Sequence, residues 1–171
     1  IFKYYGFIPH LSHLAVFYSN NSLYVNKSGT NLGTQNAHFD NQDLKHVKIF
    51  LNISDVTKES GPLHIYNKSI SNYFKINTGR RFKRKPVRDD HELQIIKGNG
   101  VDLIGNSGTL GIVDTTNCLH YGSRVGNNKG RITLVIHFVC FDAYSLRKTK
   151  KYEDLNIGAE GQLKQEFWPV G

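Results

Sequence analysis

The sequence predicts a mainly β domain, built as a sandwich, a jelly roll or a barrel. Three observations carry this. Ten Phe and nine Tyr, with many Val, Ile and Thr, favour extended backbone, because aromatic and β-branched side chains pack well on a pleated surface. Sixteen Gly supply turns. About nine short strand-like runs follow one another at close spacing with turn residues between them, the pattern of all-β folds. Apolar residues make up 39% of the 171 residues, enough for one core. We read a single domain over residues 1–171, with its core at about 14–141, a basic insert at about 77–92 and a polar tail at 142–171.

In chain order, residues 14–26 read as a hairpin turning at Asn20-Asn21, since Asn tolerates left-handed backbone. A polar loop leads to a strand at 34–40, then a strong strand at 47–54. There Val47, Ile49, Leu51 and Ile53 form an apolar face, and Lys48, Phe50 and Asn52 a mixed one. A mixed but enclosed face suits the inside of a ligand-holding barrel. Gly61-Pro62 ends the next turn, 63–66 is a short strand, and 69–76 is a helical turn. Strands follow at 93–97, 101–104 and 109–114, broken by Gly98-Asn99-Gly100 and by the turn at 105–108. His120 sits on a short strand or its edge, and 131–141 is the longest strand. No repeat or domain boundary interrupts this order.

The net charge is +8, concentrated at residues 80–88 and again at 147–151. The first cluster reads either as a solvated loop or as a recogniser of a phosphate- or carboxylate-bearing substrate. Only Phe82 interrupts it, which argues against nucleic acid, where stacking aromatics interleave the charges. No apolar run reaches the ~18 residues that cross a membrane. Cys118 and Cys140 read as free thiols of a reducing, cytoplasmic compartment. The chain has no methionine, so we expect a fragment or processed product with part of an N-terminal region missing.

The stretch Gln35-Asn36-Ala37-His38-Phe39-Asp40 puts an imidazole and a carboxylate on one strand face. Alone the pair is weak, because eight His and fourteen acidic residues produce such spacings by chance. His120 is the best third ligand. Two His and one carboxylate on one side of a metal, with open positions opposite, suit non-heme Fe(II) chemistry with O2. Arg131 follows His120 by eleven residues, and Thr133 shares its face. A guanidinium with a hydroxyl beside it is a good carboxylate receptor, though a lone strand-end Arg is commonly just solvated.

His-x-Asp, a distal His and then Arg131 together resemble the phytanoyl-CoA dioxygenase-like family of Fe(II)/2-oxoglutarate-dependent oxygenases. The likeness extends to Phe50 to Val56, to Glu59-Ser60-Gly61-Pro62-Leu63, to the Gly-bearing turn and strand at 105–114, and to Asn127 and Asn128. It spans roughly residues 34–139. It implies a double-stranded β-helix, a jelly-roll or cupin-like barrel with few helices. It implies that His38, Asp40 and His120 ligate Fe(II), and that Arg131, helped by Thr133, pairs with the distal carboxylate of 2-oxoglutarate. The activity implied is O2-dependent hydroxylation of a small molecule. Gln35 is a further keto-acid contact, and Lys48, Phe50 and Asn52 are substrate-pocket candidates. Where many family members carry Pro-Gly-Ser-His, this chain has Tyr66-Asn67-Lys68-Ser69-Ile70, so no substrate class carries over. The helices that back the larger sheet in the family would be mostly absent, leaving an apolar sheet face uncovered. The alternatives are a non-catalytic β-barrel binding module and a cupin-like metal enzyme that uses no 2-oxoglutarate. Of the remaining residues, His137 reads as a packed core histidine and Asp114 as a solvated strand end. His10, His13, His46 and His91 read as surface or loop residues.

Overall fold

The computed structural model describes residues 1–6, 8–20, 33–40, 43–79, 96 and 99–140. The described chain is mainly β. It opens with a short helix, α1 (Phe2–Tyr5), and the strand β1 (His10–Asn20). A 3-10 turn at Gly33–Gln35 precedes β2 (His46–Asn52), and another at Lys58–Ser60 precedes β3 (Leu63–Ile65). Helix α2 (Lys68–Asn77) follows, then β4 (Val101–Asp102), β5 (Leu110–Asp114), β6 (His120–Gly122) and β7 (Gly130–Val139).

The strands form two antiparallel sheets. The larger has the order β1-β7-β2-β5, and the smaller the order β4-β3-β6. His38 adds an isolated antiparallel bridge to His120, on the far side of β6 from β3. The sheets face each other across a core in which Phe50, Val113 and Val135 of the larger pack against Leu63, Ile65 and Leu103.

Register and alternation fix what each face of the larger sheet carries. On the inner face one rung reads His13, His137, Lys48, Val113, and the next Ala15, Val135, Phe50, Gly111. Phe17, Thr133 and Asn52 come next, then Ser19 and Arg131. Two outer rungs are apolar throughout, Leu14, Ile136, Ile49, Ile112 and then Val16, Leu134, Leu51, Leu110, while the rung of Phe138 and Val47 ends on Asp114. Helix α1 covers one end of this face. Its buried Tyr5 hydroxyl donates to the Phe138 carbonyl at 2.7 Å and accepts from the Val47 amide at 3.1 Å. Beyond α1 no described helix or strand covers the face, and Val16 is 62% and Ile112 58% exposed. A contiguous apolar patch of this kind is unusual on a monomer surface.

Helix α2 forms because Asn67 caps it: its side chain accepts from the Ile70 amide at 2.9 Å. The helix then lays Phe74 on Ala37 and Leu119, on the side of the smaller sheet away from the core, with Phe39, Tyr66 and Tyr121 around them.

Several elements differ from the sequence reading. The hairpin expected at 14–26 falls only partly on described residues. Strand β1 starts at His10, and its partner is β7, distant in sequence; residues 21–26 lie outside the described residues. At 34–40 the chain forms a 3-10 turn and one bridge rather than a strand. The helical turn expected at 69–76 is a ten-residue helix. The strand β7, expected to be the longest, has ten residues to eleven in β1. Of the basic insert only 77–79 are described; the tail at 142–171, the strand at 93–97 except Ile96, and His91 lie outside.

Candidate metal centre

Three pieces of chain bring His38, Asp40 and His120 together. His120 stands on the inner face of β6. His38 is held beside it by two backbone bonds, its amide to the His120 carbonyl at 3.0 Å and the reverse at 3.1 Å. The Asp40 amide donates to the Thr115 carbonyl at 3.0 Å, which keeps the 38–40 stretch extended although it is no regular strand. One ligand atom from each of the three lies within 4.8 Å of the others. The two imidazoles are tilted at 51°, with centroids 4.4 Å apart.

The tautomers of both rings follow from local bonds. His38 Nδ1 lies 2.8 Å from the Asn36 carbonyl, and His120 Nδ1 lies 2.9 Å from the Cys118 carbonyl. A carbonyl only accepts, so each Nδ1 must carry the proton. In the neutral form of either ring Nε2 is the atom with the free lone pair; His38 Nε2 lies 4.0 Å from Asp40 Oδ1 and His120 Nε2 3.8 Å from Asp40 Oδ2. Tying the outer ring nitrogen to a carbonyl is how proteins orient metal-binding histidines. Cis ligands of a first-row metal stand roughly 3 Å apart, so the group would contract by about 1 Å around an ion.

The electrostatics agree. Burial drives the His120 pKa down to about 4, helped by His38, so the ring is neutral and ready to donate a lone pair. Burial pushes the Asp40 carboxyl up, but Lys48 and His120 outweigh it and hold the group well below the usual carboxylate range. Lys48 Nζ lies 2.7 Å from Asp40 Oδ2. This is the spacing of a close ion pair. A buried carboxylate that faces His38 Nε2 through Oδ1 and His120 Nε2 through Oδ2 completes, with the two imidazoles, a donor set that fits a divalent metal.

Arg131 stands on the inner face of β7. Its Nη1 donates to the Ser60 carbonyl at 3.5 Å, and its Nη2 lies 3.0 Å from where a Cβ on Gly122 would stand. Gly122 shares the inner face of β6 with His120, two residues on, so the guanidinium passes β6 roughly 7 Å from the His120 position. Thr133 is buried on the next rung, opposite Asn52. Gln35 sits in the 3-10 turn that packs against β6. Lys48 and Phe50 point into the space between the sheets, as expected. Asn52 is buried too, but its amide donates to the Leu103 carbonyl at 3.4 Å, an internal tie between sheets.

The sequence reading missed a row of histidines beside Asp40. His46, read as a surface residue, is fully buried on the inner face of β2. Its Nε2 lies 3.1 Å from His137 Nδ1, and its Nδ1 3.7 Å from Asp40 Oδ2. The latter spacing is that of an ion pair, but burial drives the His46 pKa down to about 4, so at neutral pH it is a neutral contact. His137 is not simply packed: it lies between His46 and His13. The available signal was alternation, since His46 is in phase with Lys48, Phe50 and Asn52. Asp114 is no free strand end. It accepts from the Tyr4 hydroxyl and from the Asn117 side-chain amide, the latter at 2.7 Å. Cys118 and Cys140 are free thiols.

No family model matches the chain, and no curated protein gives a significant match. No helix among the described residues is long and apolar enough to cross a membrane.

Proposed function

We propose that this chain is an Fe(II)- and 2-oxoglutarate-dependent dioxygenase of the double-stranded β-helix type, hydroxylating a small-molecule substrate. The observation that carries the reading is the convergence of two tautomer-locked imidazoles and one buried carboxylate on a single point. Such a set on one side of a metal leaves coordination positions open opposite. His38, Asp40 and His120 would hold the ion. Bound there with the keto acid, it supplies the means of activating O2 for hydroxylation.

The rest of the work belongs to the chain. Arg131, with Thr133 on the neighbouring rung, is placed to take the distal carboxylate of a dicarboxylic acid whose other end reaches the metal. The guanidinium suits this because its two N–H groups match two carboxylate oxygens. Phe50 and Val135, buried between these polar ends, keep water from the middle of the cavity. The two facing antiparallel sheets support the double-stranded β-helix assignment.

The test is anaerobic addition of Fe(II) and 2-oxoglutarate to the folded protein. A weak visible charge-transfer band of the iron–keto-acid chelate is expected; its absence sinks the assignment of the keto acid. Arg131→Ala should weaken 2-oxoglutarate binding far more than metal binding. Equal loss of both would give Arg131 another role.

A further inference from the structure

Lys48 was expected to line the substrate pocket, but its ammonium is committed elsewhere. It lies 2.7 Å from Asp40 Oδ2, and the two side chains are 13% and 12% exposed. Around it stand His137 across the β2–β7 pair and His46 two residues earlier on the same face. His13 continues the His137 rung on β1.

A carboxylate meets a metal through one oxygen or through both. Through both, it fills a position that a facial two-histidine, one-carboxylate site must keep open. In this chain one of the two oxygens already has a cation against it. We propose that Lys48 is a positioning residue of the metal centre: it keeps one oxygen of Asp40 out of the coordination sphere, so that the carboxylate gives the metal a single oxygen. A second consequence is charge. An ammonium this close to the ion opposes its binding, so Lys48 trades metal affinity for an open position.

This inference rests on the metal reading above, and the experiment separates the two. Manganese(II) alone is the probe, added to the purified protein. Free Mn(II) is read by its EPR signal, and exchangeable water on bound Mn(II) by water-proton relaxation. Wild type should bind Mn(II) and relax water strongly through its open positions. Lys48→Met keeps the length and the apolar stem but loses the charge. It should bind Mn(II) at least about tenfold more tightly, because an ammonium near a divalent ion repels it even when well screened. Its relaxation per bound ion should fall by about one third, as one of three open positions closes.

Lys48→Gln offers Oδ2 a donor without charge. It should restore the relaxation while keeping the tighter binding, a split that a merely structural lysine would not produce. Circular dichroism confirms the fold of each variant. If the Met variant does not fold, the Gln variant still decides, because its affinity must rise. Unchanged relaxation in Lys48→Met, or unchanged affinity in Lys48→Gln, overturns the role of Lys48 and leaves the metal centre standing. Failure of wild type to bind Mn(II) overturns both.

Discussion

Acidification should unfold the metal-free protein well above the pH at which its carboxylates titrate, and His46 is the clearest reason. The side chain is fully buried, Nδ1 has no hydrogen bond, and the pKa is about 4 against an ordinary 6.5. Above the ordinary value the ring is neutral in both folded and unfolded chains and contributes nothing to pH dependence. As pH falls from about 6.5 towards 4, the unfolded chain takes up a proton that the folded chain refuses, and stability drops by about 1.4 kcal/mol per pH unit. By about pH 5 the loss is about 2 kcal/mol for this one residue. His120, also at about 4, acts in the same window, and His137, at about 3, acts in the same direction. Asp40 does not offset them there. Its carboxyl is depressed, so its contribution persists down to the ordinary carboxylate range and is lost only below it. Together the histidines can consume much of the 5–15 kcal/mol typical of a domain. Urea unfolding followed by circular dichroism in chelator, at pH values between about 7 and 5, measures the slope directly. His46→Leu should lower that slope by about one proton. A stability that is flat over this window would refute the claim that these rings are buried neutral.

Two glycines give sharper tests, one of stability and one of binding. Gly61 has φ 72°, and a Cβ there would lie 2.5 Å from the Ser123 carbonyl oxygen and 2.9 Å from the Arg124 backbone. Because those neighbours are backbone and cannot swing away, Gly61→Ala should destabilise by about 2–4 kcal/mol; a loss below about 1 kcal/mol in urea unfolding would contradict this. Gly122 differs, since its added Cβ would crowd the end of the flexible Arg131 side chain at 3.0 Å and meet the Thr34 carbonyl at an ordinary 3.8 Å. Gly122→Ala should therefore leave stability within about 1 kcal/mol of wild type while weakening 2-oxoglutarate binding about tenfold, with metal affinity unchanged. Unchanged calorimetric affinity for 2-oxoglutarate would separate Arg131 from that ligand.

What was legible in the sequence was local. The strands β2, β5 and β7 were readable because each alternates, and alternation is a property of the segment alone. The partner of β1 was not, because Asn20-Asn21 suggests a turn whether or not the chain pairs back on itself. The pairing is instead set by inner-face matches such as Ala15 with Val135 and Phe17 with Thr133. The His38–Asp40 stretch was expected to be a strand, yet it holds its line through bonds to His120 and Thr115 without being one. Ligand spacing survived because extended backbone, rather than sheet membership, places i and i+2 on one side. His46 was misplaced by one residue of strand boundary, the least readable feature of any element. Lys48 was correctly turned inward, but its partner lies on a separate stretch of chain, which no spacing rule reaches.

The order of the inner rungs bears on which ligand the cavity suits. At one end lie Asp40, Lys48 and the histidines; at the other lie Thr133 and Arg131. Between them runs the rung Ala15, Val135, Phe50 and Gly111, where no side chain can donate or accept a hydrogen bond. A ligand polar along its whole length would lose its water in that middle and gain nothing for it. One with a short hydrocarbon middle and an oxygen-rich group at each end would lose little. A metal at the first end can be chelated by a keto acid, and a guanidinium at the second can take a carboxylate in two parallel hydrogen bonds. A monoacid of the same length would leave Arg131 facing an apolar end. The rung order is therefore the second feature, after the spacing of His38, Asp40 and His120, on which the proposal of a dicarboxylic keto acid rests.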